Sequence, residues 1–478
     1  MTKLMKQIIT AVALVLVIAI MGGLYFLLTR EEPEVIEENK LGAFGETMKN
    51  GRPFIVDQVQ NADLDSILVH NEYDEYSLIH KDSGAYKIEG LEGYEVNQEM
   101  FSYLRTNATY LLAVSYVENA ELDKLEQYGI DRENPRIWFE VKYNDNKDSY
   151  KILVGDKTPD GIGYYAMLEG RDALYIVDTG LEKAILQPRK AYVVPTLVNS
   201  VDSNSVYLIK RFDMNKKGER FISIEKSGEL TYGNNSTHRV TYPAYNYATN
   251  LTNFEALVTS LASLSGVQTL YYGDEITPEL LQALGFFDAE GNDISDYSFS
   301  YSYPAFSEYL YIMKDAESGN FIVYSLKGNL IATVSAEALA FLDGEMLLWI
   351  SSEIYMLDIE DIATVEFERD GEKAVFVLSG SGSEMTVSGN GVPVDTLKFK
   401  EMYKSLMYIV VTAWAEYDMC PKEQLKLTIT LESGEVLDYL FYAYSATNSY
   451  YTLNGFGQFF VSAEKVRALG DTAFTLVK

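Results

Sequence analysis

The chain has 478 residues, 47% of them hydrophobic and 23% charged, enough apolar material for several packed domains and too much for wholesale disorder. Lys and Arg number 39 against 70 Asp and Glu, a formal charge of −31, which speaks against nucleic acid or anionic lipid headgroups as partners. A single cysteine, Cys420, precludes an intramolecular disulfide, and His70, His80 and His238 follow no HExxH or CxxC spacing, so no transition-metal site is expected.

The first element is the uncharged run Ile8–Leu28. At about 1.5 Å rise per residue a helix of that length spans about 30 Å, the hydrocarbon thickness of a bilayer. Lys3 and Lys6 precede it, while Arg30 and then Glu31, Glu32, Glu34, Glu37 and Glu38 follow it. The positive-inside rule therefore predicts a cytoplasmic N-terminus over 1–7, a transmembrane signal-anchor over 8–28 and an extracytoplasmic body. A cleaved signal would have a shorter core, about 7–15 residues, and a small-x-small site. The run instead ends Gly22-Gly23-Leu24-Tyr25-Phe26, and no lipid-acceptor cysteine lies near. Residues 29–62, acidic and carrying Pro33, Gly42, Gly45 and Gly51, read as a solvated juxtamembrane linker.

Beyond the linker an order of elements recurs three times, predicting modules over 63–198, 199–358 and 359–478. Each opens with alternating apolar strands: Ser66–His70, Tyr76–His80 and Gly84–Ile88; then Val206–Lys210 and a strand from Phe221; then Thr364–Glu368 and Ala374–Leu378 around the turn pair Asp370-Gly371. A helix follows in each, with one apolar face: Phe101, Leu104, Ala108 and Leu111; Phe254, Leu257, Val258, Leu261 and Leu264; Phe399, Tyr403, Leu406 and Val410. Asn97 and Asp395 are the expected N-caps, and Thr252 with Glu255 an expected capping box. Each module closes with aromatic strands (Tyr150–Gly155, Gly163–Leu168 and Ala173–Val177 in the first) and a short helix near Gly180–Leu186, Ala336–Leu342 or Ala463–Leu469. The fold class expected is α+β: a transmembrane helix, then three related antiparallel sheets, each with a packed helix.

Leu125-Glu-Gln-Tyr-Gly-Ile-Asp, Val154-Gly-Asp-Lys, Tyr164-Tyr165 and Leu174-Tyr-Ile-Val together resemble the DUF4340 family over roughly 65–200. The second module keeps Leu284-Gly285-Phe286 where the first has Tyr-Gly-Ile, and the third lacks that element. The resemblance implies a bacterial membrane-anchored protein of unassigned activity, in a family often encoded beside ABC-transporter components and a gliding-motility-type auxiliary protein. It implies as partners an ABC permease or auxiliary subunit and offers no catalytic residue to carry over; no cofactor is expected.

Tempting motifs have plainer readings. Asp156-Lys157-Thr158-Pro159-Asp160 is similar to the phosphorylation loop of P-type ATPases, but Pro159 replaces its glycine and the partner motifs are missing, so a closed turn is expected. Asn144–Asp148 and Asp288–Asp293 lack the glycine and glutamate of an EF-hand. The glycine-rich Gly380–Glu384 and Gly389–Gly391 fit no nucleotide motif, and Gly129 and Gly155 read as turn glycines. No GxSxG elbow or Ser/His/Asp set is present. Of 37 tyrosines, the pairs Tyr164-Tyr165, Tyr271-Tyr272 and Tyr450-Tyr451 should each send one ring inward, since neighbours on a strand face opposite ways. The function expected is a non-catalytic, single-pass accessory or scaffold of an ABC-transporter-type or envelope complex at the bacterial cell membrane. The alternative is a surface module for glycan or another envelope polymer, which needs a contiguous exposed aromatic platform. A hydrolase would need converging carboxylates with raised pKa.

Overall fold

A computed structural model describes residues 41–56, 59–80, 86–198, 207–227, 236–244, 247–262, 264–415 and 422–478. The run Ile8–Leu28, the cytoplasmic 1–7, the first part of the linker and Cys420 lie outside the described residues. Among the described residues no helix is long and apolar enough to cross a membrane. They form two compact units, one of residues 41–93 and 97–189, the other of 94–96 and 190–478.

Three large antiparallel sheets dominate. The first lies in the first unit and runs, edge to edge, Tyr86–Ile88, Glu75–His80, Leu64–His70, Ile137–Tyr143, Asp148–Lys157, Gly163–Leu168, Tyr175–Asp178, Ala113–Tyr116. The second, in the second unit, runs Tyr247–Ala248, His238–Tyr242, Glu219–Lys226, Arg211–Lys216, Tyr297–Ser302, Ser307–Lys314, Phe321–Ser325, Leu330–Val334, Gln268–Tyr272. The third, in the same unit, runs Val392–Pro393, Thr386–Gly389, Glu372–Ser379, Ile362–Arg369, Glu423–Leu431, Val436–Ala443, Asn448–Leu453, Phe456–Ser462, Val411–Trp414.

One rule generates all three orders. The chain builds outward to one edge by hairpins, crosses to the opposite edge through a helix, then returns to the middle and meanders out to meet that far strand. The crossing helices are Gln98–Thr109, Leu251–Ala262 and Thr396–Met407. Each buries most of the apolar face that its periodicity indicates, but Leu111, Leu264 and Val410 lie past the helix ends, and Phe101 and Val410 are only half-buried. Phe254 is fully buried, with ring centroids 6.1 Å from Phe212 and 5.1 Å from His238, and Phe399 lies 5.0 Å from Phe376. Burying one such ring contributes about 1.5–3 kcal/mol. Asn97 and Asp395 cap as expected, each accepting two backbone N–H bonds. Thr252 does not cap: it lies inside its helix, and Asn250 takes the N–H of Asn253 at 3.1 Å.

The strand expected at Val206–Lys210 lies later, at Arg211–Lys216. There Phe212 and Met214 point inward between polar neighbours, and that alternation satisfies a sheet with one covered face. The last helix is twice the expected length, Ala463–Leu476, because Ala473 and Phe474 continue its buried stripe. Asp370 and Gly371 both have positive φ, as a two-residue hairpin turn requires.

The linker differs most from the sequence reading. Residues 41–56 are not a solvated spacer: Phe54, Ile55 and Val56 are buried, and Ile55 N–H donates to Leu111 at 2.9 Å. Phe54 bridges Leu112 just past the first crossing helix. Within the second unit Thr196 bridges Ser265 and Glu353 bridges Val410, each just past a crossing helix. Pro53-Phe54-Ile55, Pro195-Thr196-Leu197 and Ser352-Glu353-Ile354 thus play one part three times, and Ile55, Leu197 and Ile354 are all buried. Each sheet is entered through a short extended strap that pairs with the segment behind its own helix.

Candidate functional site

A cleft of about 460 Å³ opens at one end of the first sheet, where four loops meet. Glu72 comes from the first hairpin turn, Arg136 from the start of Ile137–Tyr143, and Asp156 and Lys157 from the end of Asp148–Lys157. Tyr164 comes from the next strand and Glu182 from the short helix Thr179–Lys183. That helix is fixed at its start by Asp178, which accepts the Gly180 N–H at 2.8 Å. Behind it, buried Asn71 donates to the carbonyls of Ile185 at 2.8 Å and Gln187 at 2.9 Å, tying the cleft floor to the hairpin.

The charged groups answer one another. Arg136 pairs with Asp156 at 2.6 Å and reaches Glu72 at 3.7 Å, and Lys157 pairs with Glu182 at 2.7 Å. The Tyr164 hydroxyl donates to Glu182 at 2.7 Å. The hydrogen bonds from Lys157 and Tyr164 hold the Glu182 carboxyl below its usual range. Burial, then the neighbouring Glu182, pushes the Tyr164 phenol up to about 12. A carboxyl lowered in this way is ionised and is no proton donor at neutral pH. Pairs this exposed contribute about 0–1 kcal/mol each, so a polar ligand carrying both charges opens them cheaply.

The loop that is similar to a phosphorylation site is a closed turn. Thr158 N–H donates to Gly163 at 2.8 Å, its hydroxyl to Asp160 at 2.6 Å, and Gly161 adopts φ +73°. Gly129 and Gly155 serve a close approach: a Cβ at Gly155 would stand 2.1 Å from the Tyr128 carbonyl, and one at Gly129 would stand 2.6 Å from the Asp156 amide. Tyr128-Gly129-Ile130 and Leu284-Gly285-Phe286 share their geometry, with both glycines at positive φ and both following residues buried. Ile130 packs with Leu125, Leu153, Met167 and Leu174; Phe286 packs with Tyr324 and Ile331.

The remaining motifs resolve into turns. Asn144 binds Asp148 at 2.7 Å, and Asp288 accepts both the backbone and side-chain nitrogens of Asn292. Among the described residues no group of three His, Cys, Asp or Glu side chains is placed to hold a metal ion. Tyr272, Tyr450 and Tyr451 are buried, as is Trp349. Aromatic side chains do gather in one groove of about 660 Å³ in the second unit, lined by Phe221, Tyr242, Met346, Trp414 and Gln458. Its members come from two different sheets, so no local pattern marks them.

Sequence reasoning also misses Glu46. This carboxylate is 2% exposed and accepts hydrogen bonds from the hydroxyls of Tyr175 and Tyr116, the latter at 2.9 Å, and from Phe44 N–H at 2.9 Å. Burial raises its pKa, but the bonds from Tyr175, the backbone and Tyr116 outweigh burial and hold it below the usual value. Arg171 reinforces the strap by donating to Ile55 at 2.8 Å.

Residues 87–283 match the model of DUF4340, a domain of unknown function. The DUF4340 match runs from the edge strand Tyr86–Ile88 of the first sheet to the helix Pro278–Ala283, and so takes in the Tyr-Gly-Ile element and most of the charged cleft. No curated protein and no solved structure matches the chain.

Proposed function

We propose that the protein is a single-pass, membrane-anchored extracytoplasmic scaffold, acting as an accessory of an ABC-transporter-type or envelope complex in the bacterial cell membrane. The observation that carries this reading is the uncharged run Ile8–Leu28, with lysines before it and glutamates after it. One feature is consistent with it: in the charged cleft Arg136 pairs with Asp156 and Lys157 with Glu182, and the Glu182 carboxyl is held below its usual range rather than poised as an acid. The partner proposed is a permease or its auxiliary subunit, as the DUF4340 resemblance implies. Crosslinking in membranes followed by pull-down tests it: a permease or auxiliary subunit should be recovered, and recovery of the chain alone at native expression would overturn the partner.

One observation favours a second reading. Tyr242 is 41% exposed in the aromatic groove, beside Trp414 and below the Arg220 guanidinium, whose carbon lies 5.5 Å from the Tyr242 ring centroid. Such rings stack on sugar faces, so a surface module for envelope glycan is the alternative. Retention of the protein on purified envelope glycan, lost in Trp414→Ala, would favour it.

A further inference from the structure

The straps show how the second unit joins extended segments, and in the third sheet the corresponding acceptor has no segment bridged to it among the described residues. At the edge of the second sheet Thr249 bridges Ile350. The Ala248 carbonyl accepts the Ser351 N–H at 2.8 Å, and Asn250 N–H donates to the Trp349 carbonyl at 3.0 Å. The bridge and one of its bonds recur where Val96 bridges Val193, with Glu95 accepting the Val194 N–H at 2.8 Å. In each case the acceptor segment lies between an edge strand and the N-cap of a crossing helix.

The corresponding residues of the third sheet are Pro393, Val394 and Asp395. Thr249 N–H bonds inward to His238 at 3.2 Å, and Val394 N–H bonds inward to Val387 at 3.0 Å, so the two backbones are in the same phase. Alternation along an antiparallel strand then turns the Pro393 carbonyl and the Asp395 N–H outward, where Ala248 and Asn250 meet their strap. Among the described residues no segment bridges Val394, and Val392–Pro393 is the edge of its sheet. Apolar side chains flank the edge in the open: Val392 is 63% and Leu397 74% exposed. An exposed apolar edge is a feature that folded proteins ordinarily cover.

We propose that Val392–Leu397 is an acceptor for an extended segment of another protein, bound as Trp349–Ser351 is bound within this chain. The two internal examples define the ligand. It is an apolar residue opposite Val394, preceded by a residue whose carbonyl takes the Asp395 N–H and followed by one whose N–H reaches the Pro393 carbonyl. Two backbone bonds and two apolar side chains make a weak contact alone, suited to one arm of a larger interface. The inference does not depend on anchorage in a membrane, so its failure and the failure of the scaffold reading are separate results.

The probe is a labelled synthetic peptide with the sequence of residues 348–357, titrated onto the full chain. Saturable binding is expected, with the Asp395 amide becoming protected from hydrogen exchange. Binding should fall at least tenfold in Val392→Lys and in Leu397→Asp, both at exposed positions. It should fall likewise when the peptide nitrogen equivalent to Ser351 is methylated, a change that leaves the protein untouched. Absence of binding, binding indifferent to all three changes, or an Asp395 amide already protected in the free chain would each overturn the proposal. Self-association of the chain that Leu397→Asp abolishes would assign the edge to a second copy and overturn the choice of a different protein.

Discussion

Replacing Glu46 tests whether the strap belongs to the fold or merely leads to it. Three donors converge on this carboxylate, from Tyr175, Tyr116 and the Phe44 backbone. A hydrogen bond to a charged group is worth about 1.5–3 kcal/mol, and orphaning a buried hydroxyl costs about 1–3 kcal/mol. These terms overlap, so Glu46→Ala should loosen the strap by about 3 kcal/mol and Glu46→Gln, which keeps one acceptor oxygen, by about half that. Hydrogen exchange at Phe54 and Ile55, whose amides bond Thr47 and Leu111, reads the loss locally. About 3 kcal/mol corresponds to about a hundredfold faster exchange. Glu46→Ala with Tyr175→Phe should cost less than the two changes summed, because the second removes a donor that the first orphans. The folded pKa is lowered, so the carboxylate's contribution is present above its ordinary value of 4.5 and is lost as pH falls through the folded value. Glu46→Gln should flatten that acid loss. Wild-type exchange rates at Phe54 and Ile55 in Glu46→Ala would refute the reasoning.

Other expectations follow from named contacts. Gly155→Ala sets a methyl against the Tyr128 carbonyl, at 2.1 Å before relaxation, and should cost about 2 kcal/mol or more, read by urea denaturation of the first unit. Glu182→Gln removes the nearest anion from Tyr164 and should bring its phenol down from about 12, read by NMR of ring-labelled tyrosine. Burial lowers the pKa of His238, whose Nε2 lies 2.9 Å from the Ile209 carbonyl. The unfolded chain therefore binds the proton first, and stability should fall as pH drops below about 6.5 and level off below the folded value. His238→Gln should remove that step, measured as the pH dependence of unfolding of the second unit.

Local pattern reaches some of this fold and stops where pairing becomes non-local. Gly163–Leu168 begins and ends where the sequence reading places it, and Asn97 and Asp395 cap where their helices start. Strand order is another matter. Ile137–Tyr143 alternates as clearly as its neighbours, yet its partner Leu64–His70 is some seventy residues back across a crossing helix, and no local signal names that partner. The strap hid for a related reason. Phe54-Ile55-Val56 is a short apolar stretch in an acidic, glycine-bearing segment, too brief to show a period. Only its equivalence with Thr196-Leu197-Val198 and Glu353-Ile354-Tyr355 reveals its part, and those stretches share the burial of their last two residues rather than residue identity. The charged cleft is not legible in the sequence: Asp156 and Lys157 form a visible motif, but it reads as a closed turn, and Arg136 and Glu182 meet them only through the sheet.

The claim on which the functional reading rests is that the body lies outside the membrane, and one labelling measurement addresses it directly. Cys420 is the single cysteine, so Cys420→Ser with Asp370→Cys, at a side chain 70% exposed in a hairpin turn, gives one reporter thiol. A membrane-impermeant maleimide is then added to intact cells stripped of their outer envelope layers. Labelling before permeabilisation, on protein that sediments with the membrane, is the result predicted. A thiol that reacts only after the membrane is opened would contradict an extracytoplasmic body and, with it, the scaffold proposed here.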